Sequence, residues 1–288
     1  MKSALVFGAS GQVGMPLLAR LAGQDWQVHA VSRESRAAAP GVRWVRGELD
    51  GVDGLPGAVD AIFSCGPLDL FARWHADAAV AASRVVAFGS TSVHSKQDSD
   101  DEAERDVARR LRDAEALLFA TGQQRGAAVT ILRPTLVYGA GRDRTLSRIA
   151  ALAQRWGRFV LPSRAEGLRQ PVHVDDLADA AWRACGADAS HGRSYDLPGG
   201  ETLAYREMVR RVLACLQPPP SLHELPLPMF RGVIRAAQAR GIAADFTPAA
   251  LARMHEDLVF DMTPARRDFA YAPRTFAPDA GMFAAPGG

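Results

Sequence analysis

Apolar residues fall along this chain in short runs that alternate with longer stretches of helical period. The runs at Ser3–Phe7, Gln27–Ser32, Val42–Val45, Asp60–Ser64, Arg84–Phe88 and Val129–Leu132 have strand length and are rich in Val, Ile, Phe and Ala. Between them, Gln12–Leu21, Phe71–Ala82 and Glu102–Thr121 carry apolar positions three and four apart, which predicts helices. In the last of these, Val107, Leu111, Ala114, Leu117 and Leu118 make the expected core stripe. Strands alternating with helices at this spacing predict an α/β fold, a doubly wound parallel sheet with helices on both faces. Ligands of such sheets lie across the C-terminal strand ends. The loops after the first, second, fourth and fifth strands are therefore expected to face one cleft.

The pattern changes in the second half, where strands are shorter and helices closer. Helices are expected from Asp143 to Ala153, at Leu177–Cys185, Tyr205–Leu216 and Met229–Ala239, and after Phe246-Thr247-Pro248, where Thr247 suits a cap and Pro248 the first helical position. Asp175 and Asp176 suit the start of their helix. Strands are expected at Phe159–Leu161, Arg193–Leu197 and Leu222–Leu227. Phe230, Phe246, Met254 and Phe260 make this part apolar, through core packing or through a pocket for a small or lipid-like substrate. The expectation is a nucleotide-binding domain over residues 1–165 and a smaller mixed α/β lobe over 166–288, interleaved with the first.

The chemistry begins where the first strand ends. Ala4–Gly14 reads A-L-V-F-G-A-S-G-Q-V-G, an apolar run into glycines 8, 11 and 14 with an amphipathic stretch after it. Strand, tight turn and helix in that order make the Rossmann-type context for a dinucleotide: glycine lets a phosphate approach the backbone, and the helix start offers N–H groups and a positive dipole end. Gly8, Ser10, Gly11, Gln12, Val13 and Gly14 are the candidate contacts. At the end of the second strand, where an acidic residue would bind the ribose hydroxyl of NAD, stand Ser32 and Arg33. A guanidinium there suits a 2′-phosphate and favours NADP. Glu34 follows and keeps NAD open as an alternative. Glu48 and Leu49, after the third strand, are placed to reach an adenine, and Asp50 suits the cap of a following helix. Cys65, Gly66 and Pro67, after the fourth strand, are small enough for a cofactor to lie against the backbone.

Composition removes several alternatives. The 288 residues carry a formal net charge of +2, with no long run of one sign, so nucleic acid is not an expected partner. No stretch approaches the length of a membrane span, and Met1-Lys2 leads directly into the first strand without a leader-like segment. The three cysteines, Cys65, Cys185 and Cys215, lie far apart and without metal-ligand spacing. A small-molecule ligand, a cytoplasmic location and no metal are the expectations. The loop after the fifth strand, Gly89–Lys96, is rich in hydroxyls and contains Ser90 and His94. The following Gln97–Glu104 is acidic and polar.

Four stretches together resemble a known group: G-A-S-G-Q-V-G at 8–14, G-S-T-S-V-H at 89–94, L-R-P-T-L-V-Y-G at 132–139 and Q-P-V-H-V-D-D-L-A at 170–178. The segment 261–276 also resembles that group's closing stretch. The chain is similar to short-chain dehydrogenases/reductases of the extended or atypical kind, in the NAD-dependent epimerase/dehydratase group. The resemblance implies a nicotinamide cofactor and Ser90 at the position of the active-site Ser/Thr, near both cofactor and substrate. It also implies a homodimer through helices 71–82 and 102–121. In nucleotide-sugar members an arginine before the fourth stretch holds a substrate phosphate, and Arg169 matches loosely.

The same resemblance implies a Tyr and, four residues later, a Lys on one helix face. Neither is present. The chain's two lysines are Lys2 and Lys96, and alignment on Glu115 puts Val107 and Leu111 at the two positions. Three readings stay open. The first is an NADP-dependent oxidoreductase with another proton donor, His94 by its titration near neutral pH or Tyr138 by its place after the sixth strand. The second is a protein that binds NADP(H) without turnover, as a redox sensor or assembly subunit. The third is a nucleotide-sugar epimerase/dehydratase-like protein no longer competent for oxidation.

Overall fold

The computed structural model describes residues 2–37, 39–143, 145–242 and 246–284. They form two compact units. The first comprises residues 1–135, 172–198 and 260–273, and the second 136–171, 199–259 and 274–288. The chain passes back and forth between the two, so the boundary expected at residue 165 falls inside the second unit.

The first unit is built on β1 (Lys2–Phe7), β2 (Trp26–Ser32), β3 (Val42–Glu48), β4 (Gly51–Val52), β5 (Ala58–Ser64), β6 (Ala81–Phe88) and β7 (Ala128–Pro134), joined by α1 (Gly14–Ala22), α2 (Leu68–Asp77), the short α3 (Ser92–Ser95) and α4 (Glu102–Arg125). The sheet order is the strand Arg193–Leu197, then β7, β6, β5, β1, β2, β3 and β4. Pairing is parallel throughout except between β3 and β4. β1 is central, and Ala4, Leu5 and Val6 are fully buried, as a strand covered on both faces requires. Leu5 faces His29 of β2 and Ile62 of β5 in register. The core on one face gathers Phe7, Ile62, Phe71, Leu118 and Ile131. The sequence pattern and the structure agree on this doubly wound α/β architecture.

Four local expectations are corrected. The segment after β3 turns back as a hairpin, Glu48 opposite Gly51, so Asp50 caps no helix. α2 starts at Leu68, directly after the extended Pro67, and ends at Asp77, because Ala81 and Ala82 belong to β6. α4 continues through Gly122 to Arg125, since this glycine is a close-approach residue and no stop: a Cβ there would come within 2.4 Å of Val129. The buried stripe of α4 runs Glu104, Ala108, Ala114, Glu115, Leu118, Thr121, and Leu117 is exposed instead of core. Two glutamates thus lie on the face where only apolar residues were expected.

The remaining parts of this unit are the helix Val174–Gly186, beside α1, and the helix Thr263–Phe269. The first begins earlier than the expected Leu177 because Nδ1 of His173 accepts the Asp175 N–H at 3.2 Å. The second is tied to the sheet through Tyr195, whose hydroxyl donates to Asp268 at 2.7 Å and whose ring meets Phe269 edge-on.

The second unit pairs Arg158–Pro162 with Ser221–Leu225 in parallel and Leu168–Arg169 with Leu203–Ala204 antiparallel. The helices Leu146–Trp156, Tyr205–Ala214, Leu227–Gln238 and Pro248–Arg253 surround a core of Leu146, Ile149, Met208, Val212 and Phe276. Thr247 accepts the Ala250 N–H at 3.1 Å, with Pro248 at the first helical position. Phe230, Phe246 and Met254 pack here, whereas Phe260 belongs to the first unit. Among the described residues, no helix is long and apolar enough to cross a membrane.

Candidate cofactor and active site

β1 ends in a turn that only glycine fits. Gly8 has φ +65°, and a Cβ there would lie 2.8 Å from the carbonyl carbon of Cys65. Gly14, the first residue of α1, would place a Cβ 2.2 Å from the Gly8 carbonyl oxygen. The Gly11 N–H donates to that same oxygen at 2.9 Å and closes the turn. Gln12 and Val13, expected inside the helix, belong to the turn because α1 starts at Gly14. The first turn of α1 has no side-chain cap and no acidic residue. Pro16 has no N–H, and the Met15 and Leu17 N–H groups donate to the Gly11 and Val13 carbonyls, so what this helix start offers an anion is its positive dipole end. This end of the unit fits a dinucleotide pyrophosphate.

The other cofactor candidates gather around the turn in two groups. Cys65 and Gly66 lie against Gly8, and Leu49 reaches within 3.6 Å of where a Gly66 side chain would start. Burial pushes the Cys65 thiol up to about 12, so it stays protonated and unreactive. The Cys65 N–H donates to Phe7, which pins this peptide beside the turn. On the opposite side, Ser32 Oγ is 3.3 Å from Ser10 Oγ and accepts the Glu34 N–H at 3.2 Å. Arg33 is exposed and makes no hydrogen bond or ion pair among the described residues. Glu34 lies 3.7 Å from Arg36, whose guanidinium covers the Trp44 ring. Glu48 is exposed at the end of β3.

Beyond β6 the chain forms the short α3. Ser90 Oγ accepts the Ser92 N–H at 3.1 Å, and Thr91 is tied to Pro134 of β7 by both its N–H and its hydroxyl. His94 extends toward the sheet, its Nε2 3.3 Å from Asp196 Oδ1 and 3.2 Å from Arg133 Nη1. Arg133 in turn forks onto Glu115, with Nε at 2.8 Å from one carboxylate oxygen and Nη2 on the other. Glu115 is 8% exposed and Arg133 17%. Burial works against the Arg133 charge, but the Glu115 carboxylate and Asp196 outweigh it and raise its pKa above the ordinary value.

Sequence reasoning picked out His94 and missed the three residues that hold it. Arg133 stood in a quoted motif, and Glu115 is a carboxylate within the apolar stripe of its helix, which is the one available signal. Asp196 carries no local signal at all. Val107 and Leu111, where the resemblance would put a Tyr and a Lys, are half-buried, and Leu111 packs on the sheet core.

Tyr138 and Arg169 lie in the second unit. Tyr138 is 1% exposed, with its ring edge-on to Phe276 at 4.9 Å. Arg169 is buried and donates to the carbonyls of Leu168, Glu256 and Arg253, with the Tyr205 ring beneath it. Desolvation lowers its pKa.

The fold and the glycine turn are those of a Rossmann-type α/β unit. Residues 66–197, a little under half of the chain, match the model of the NAD dependent epimerase/dehydratase family. The family is NAD-dependent. A 2-alkyl-3-oxoalkanoate reductase of Stenotrophomonas maltophilia (strain K279a) is 28% identical over 163 residues, which are 51% of this chain and 47% of that protein. The match spans about half the length of the curated relatives. Among solved structures, the terminal R domain of the myxalamid PKS-NRPS biosynthetic pathway superposes with a TM-score of 0.73 at 21% identity, covering 98% of this chain and 88% of that one. MoeE5 in complex with UDP-glucuronic acid and NAD gives 0.70 at 19%, covering 95% and 94%. At these identities the structural likenesses show the fold.

Proposed function

We propose that the chain is an NADP(H)-dependent oxidoreductase acting on a small carbonyl or alcohol, with His94 as the proton donor in place of the usual tyrosine. The observation that carries this reading is the Gly8–Gly14 turn opening onto the uncapped start of α1. A bound nicotinamide supplies hydride transfer, and the chain's own residues do the rest. The turn and α1 hold the pyrophosphate, and Cys65 and Gly66 bring backbone close to it. Arg33, exposed beyond β2, suits a 2′-phosphate; NAD is the alternative, with Glu34 on the ribose. Ser90 hydrogen-bonds the reacting oxygen and His94 moves the proton. The reductase relative supports a carbonyl substrate. Nucleotide-sugar chemistry has less support in the chain, because Arg169 already serves three carbonyls.

A second reading, NADP(H) binding without turnover, is favoured by Val107 and Leu111 at the positions of the absent pair. One experiment separates the two. The purified chain is titrated with NADPH and NADH, then incubated with NADPH and a panel of aldehydes, ketones and quinones while NADPH absorbance is followed. Turnover that collapses in His94→Ala supports the oxidoreductase. Tight NADPH binding with no turnover on the panel favours the sensor.

A further inference from the structure

Asp196 and Arg133 are register partners in the parallel pairing of the strand Arg193–Leu197 with β7. The backbone therefore sets a carboxylate and a guanidinium side by side, and both reach the same atom, Nε2 of His94. Their demands on that atom are opposite. A guanidinium only donates, so Arg133 needs a bare Nε2 and would leave the neutral ring's proton on Nδ1. A carboxylate only accepts, so Asp196 needs a proton on Nε2. The surrounding charges decide between them. Arg133 is already met by its fork onto the buried Glu115, whereas Asp196 has Arg133 Nη1 only at 3.7 Å and His94 as its nearest partner.

We propose that Asp196 is the positioning residue for His94: it holds a proton on Nε2 and so reserves Nδ1 for proton exchange with the substrate. This rests on the reading of His94 as the proton donor. Nδ1 makes no hydrogen bond among the described residues, and the His94 side chain is 46% exposed, so that nitrogen is available. In the reducing direction a hydride reaches the carbonyl carbon, the Nδ1–H bond of the imidazolium breaks, and its proton goes to the carbonyl oxygen, giving the alcohol. The ring is left neutral with its remaining proton between Nε2 and Asp196, and solvent returns the lost proton through the exposed edge. The other groups near the ring are Glu115, behind Arg133, and the Phe260 ring at 6.1 Å, while the Lys96 amine is turned to Glu104 at 3.7 Å.

The test reads the tautomer first, in the full chain without cofactor. Long-range proton–nitrogen correlation on the labelled imidazole is expected to show the neutral His94 ring protonated on Nε2. A ring protonated on Nδ1 would mean that Arg133 owns the nitrogen and would overturn the proposal. Asp196→Ala is expected to lose the Nε2 preference and to lower kcat by at least about tenfold with KM for NADPH within about twofold. Asp196→Glu should restore part of both. Retention of tautomer and kcat in Asp196→Ala sinks the assignment, and Asp196→Asn, which keeps the volume, takes its place if the alanine variant does not fold. The functional reading fails separately, through His94→Ala with unchanged turnover, and leaves the tautomer measurement standing.

Discussion

The glycine turn and the His94 network occupy one unit and are built in opposite ways. At the turn, backbone does the work: a positive φ at Gly8, a contact at Gly14 too close for any side chain, and a helix start left uncapped. Such a site is local, spanning seven consecutive residues. Around His94, side chains from four separate places meet: α3, α4, β7 and the strand Arg193–Leu197. None of them is special by itself, and the assembly exists only because the sheet order puts β7 between β6 and that strand. The difference teaches that a backbone turn is fixed by neighbouring residues, whereas a side-chain network depends on the order of the whole sheet.

The sharpest way to break the comparison is at the buried ion pair. Glu115→Gln should cost about 3–5 kcal/mol, because it leaves the Arg133 charge unanswered in a buried site. Urea denaturation measures this, and a loss below about 1 kcal/mol would mean that the pair is effectively solvated and the network surface-like.

Acid stability comes next, and it must be separated from any pH effect at His94. His75 on α2 is 1% exposed, and neither ring nitrogen has a hydrogen-bond partner among the described residues. Burial, with help from the Arg125 charge, holds its pKa at about 4, below the 6.5 of a free histidine. As pH falls through that interval the unfolded chain takes up the proton first, so stability is present above 6.5 and lost toward 4. The loss is about 3 kcal/mol at most. His75→Phe should flatten the dependence of unfolding free energy on pH across this window. An unchanged slope would move the acid sensitivity elsewhere.

At the turn, Gly8→Ala should destabilise by roughly 1–3 kcal/mol, from the strained φ and the contact with Cys65, and should abolish detectable NADPH binding. Calorimetry on the folded variant checks the second part, and retained affinity would remove the turn from the cofactor site. Arg33→Ala is the gentlest change. It should reduce the preference for NADPH over NADH about tenfold, or 1.4 kcal/mol, with no effect on melting temperature. Equal loss for both cofactors would point to a general charge effect rather than recognition of the 2′-phosphate.

Much of the fold was legible in the sequence because its signals are local. Apolar runs, glycine spacing and the Thr247-Pro248 cap each report on a few neighbouring residues, and the structure carries them nearly in place. The errors share one physical source. The helix expected to end at Thr121 runs on because Gly122 packs against Val129, and Asp50 reads as a cap until β3 is seen turning into β4. Leu117 reads as core until the sheet shows which face of α4 it covers, with Glu115 buried there instead. Period alone gives a stripe, and the exact face depends on what lies opposite.

By itself, then, the chain's sequence determined a doubly wound α/β unit and a glycine turn fit for a dinucleotide. Those follow from composition and short-range spacing. Tertiary structure alone decided that His94 stands between Asp196 and Arg133, that Glu115 anchors Arg133 from α4, and that Phe260 lies with the first unit. These contacts join residues 18 to 102 positions apart, and only sheet order and register bring such residues within hydrogen-bonding distance.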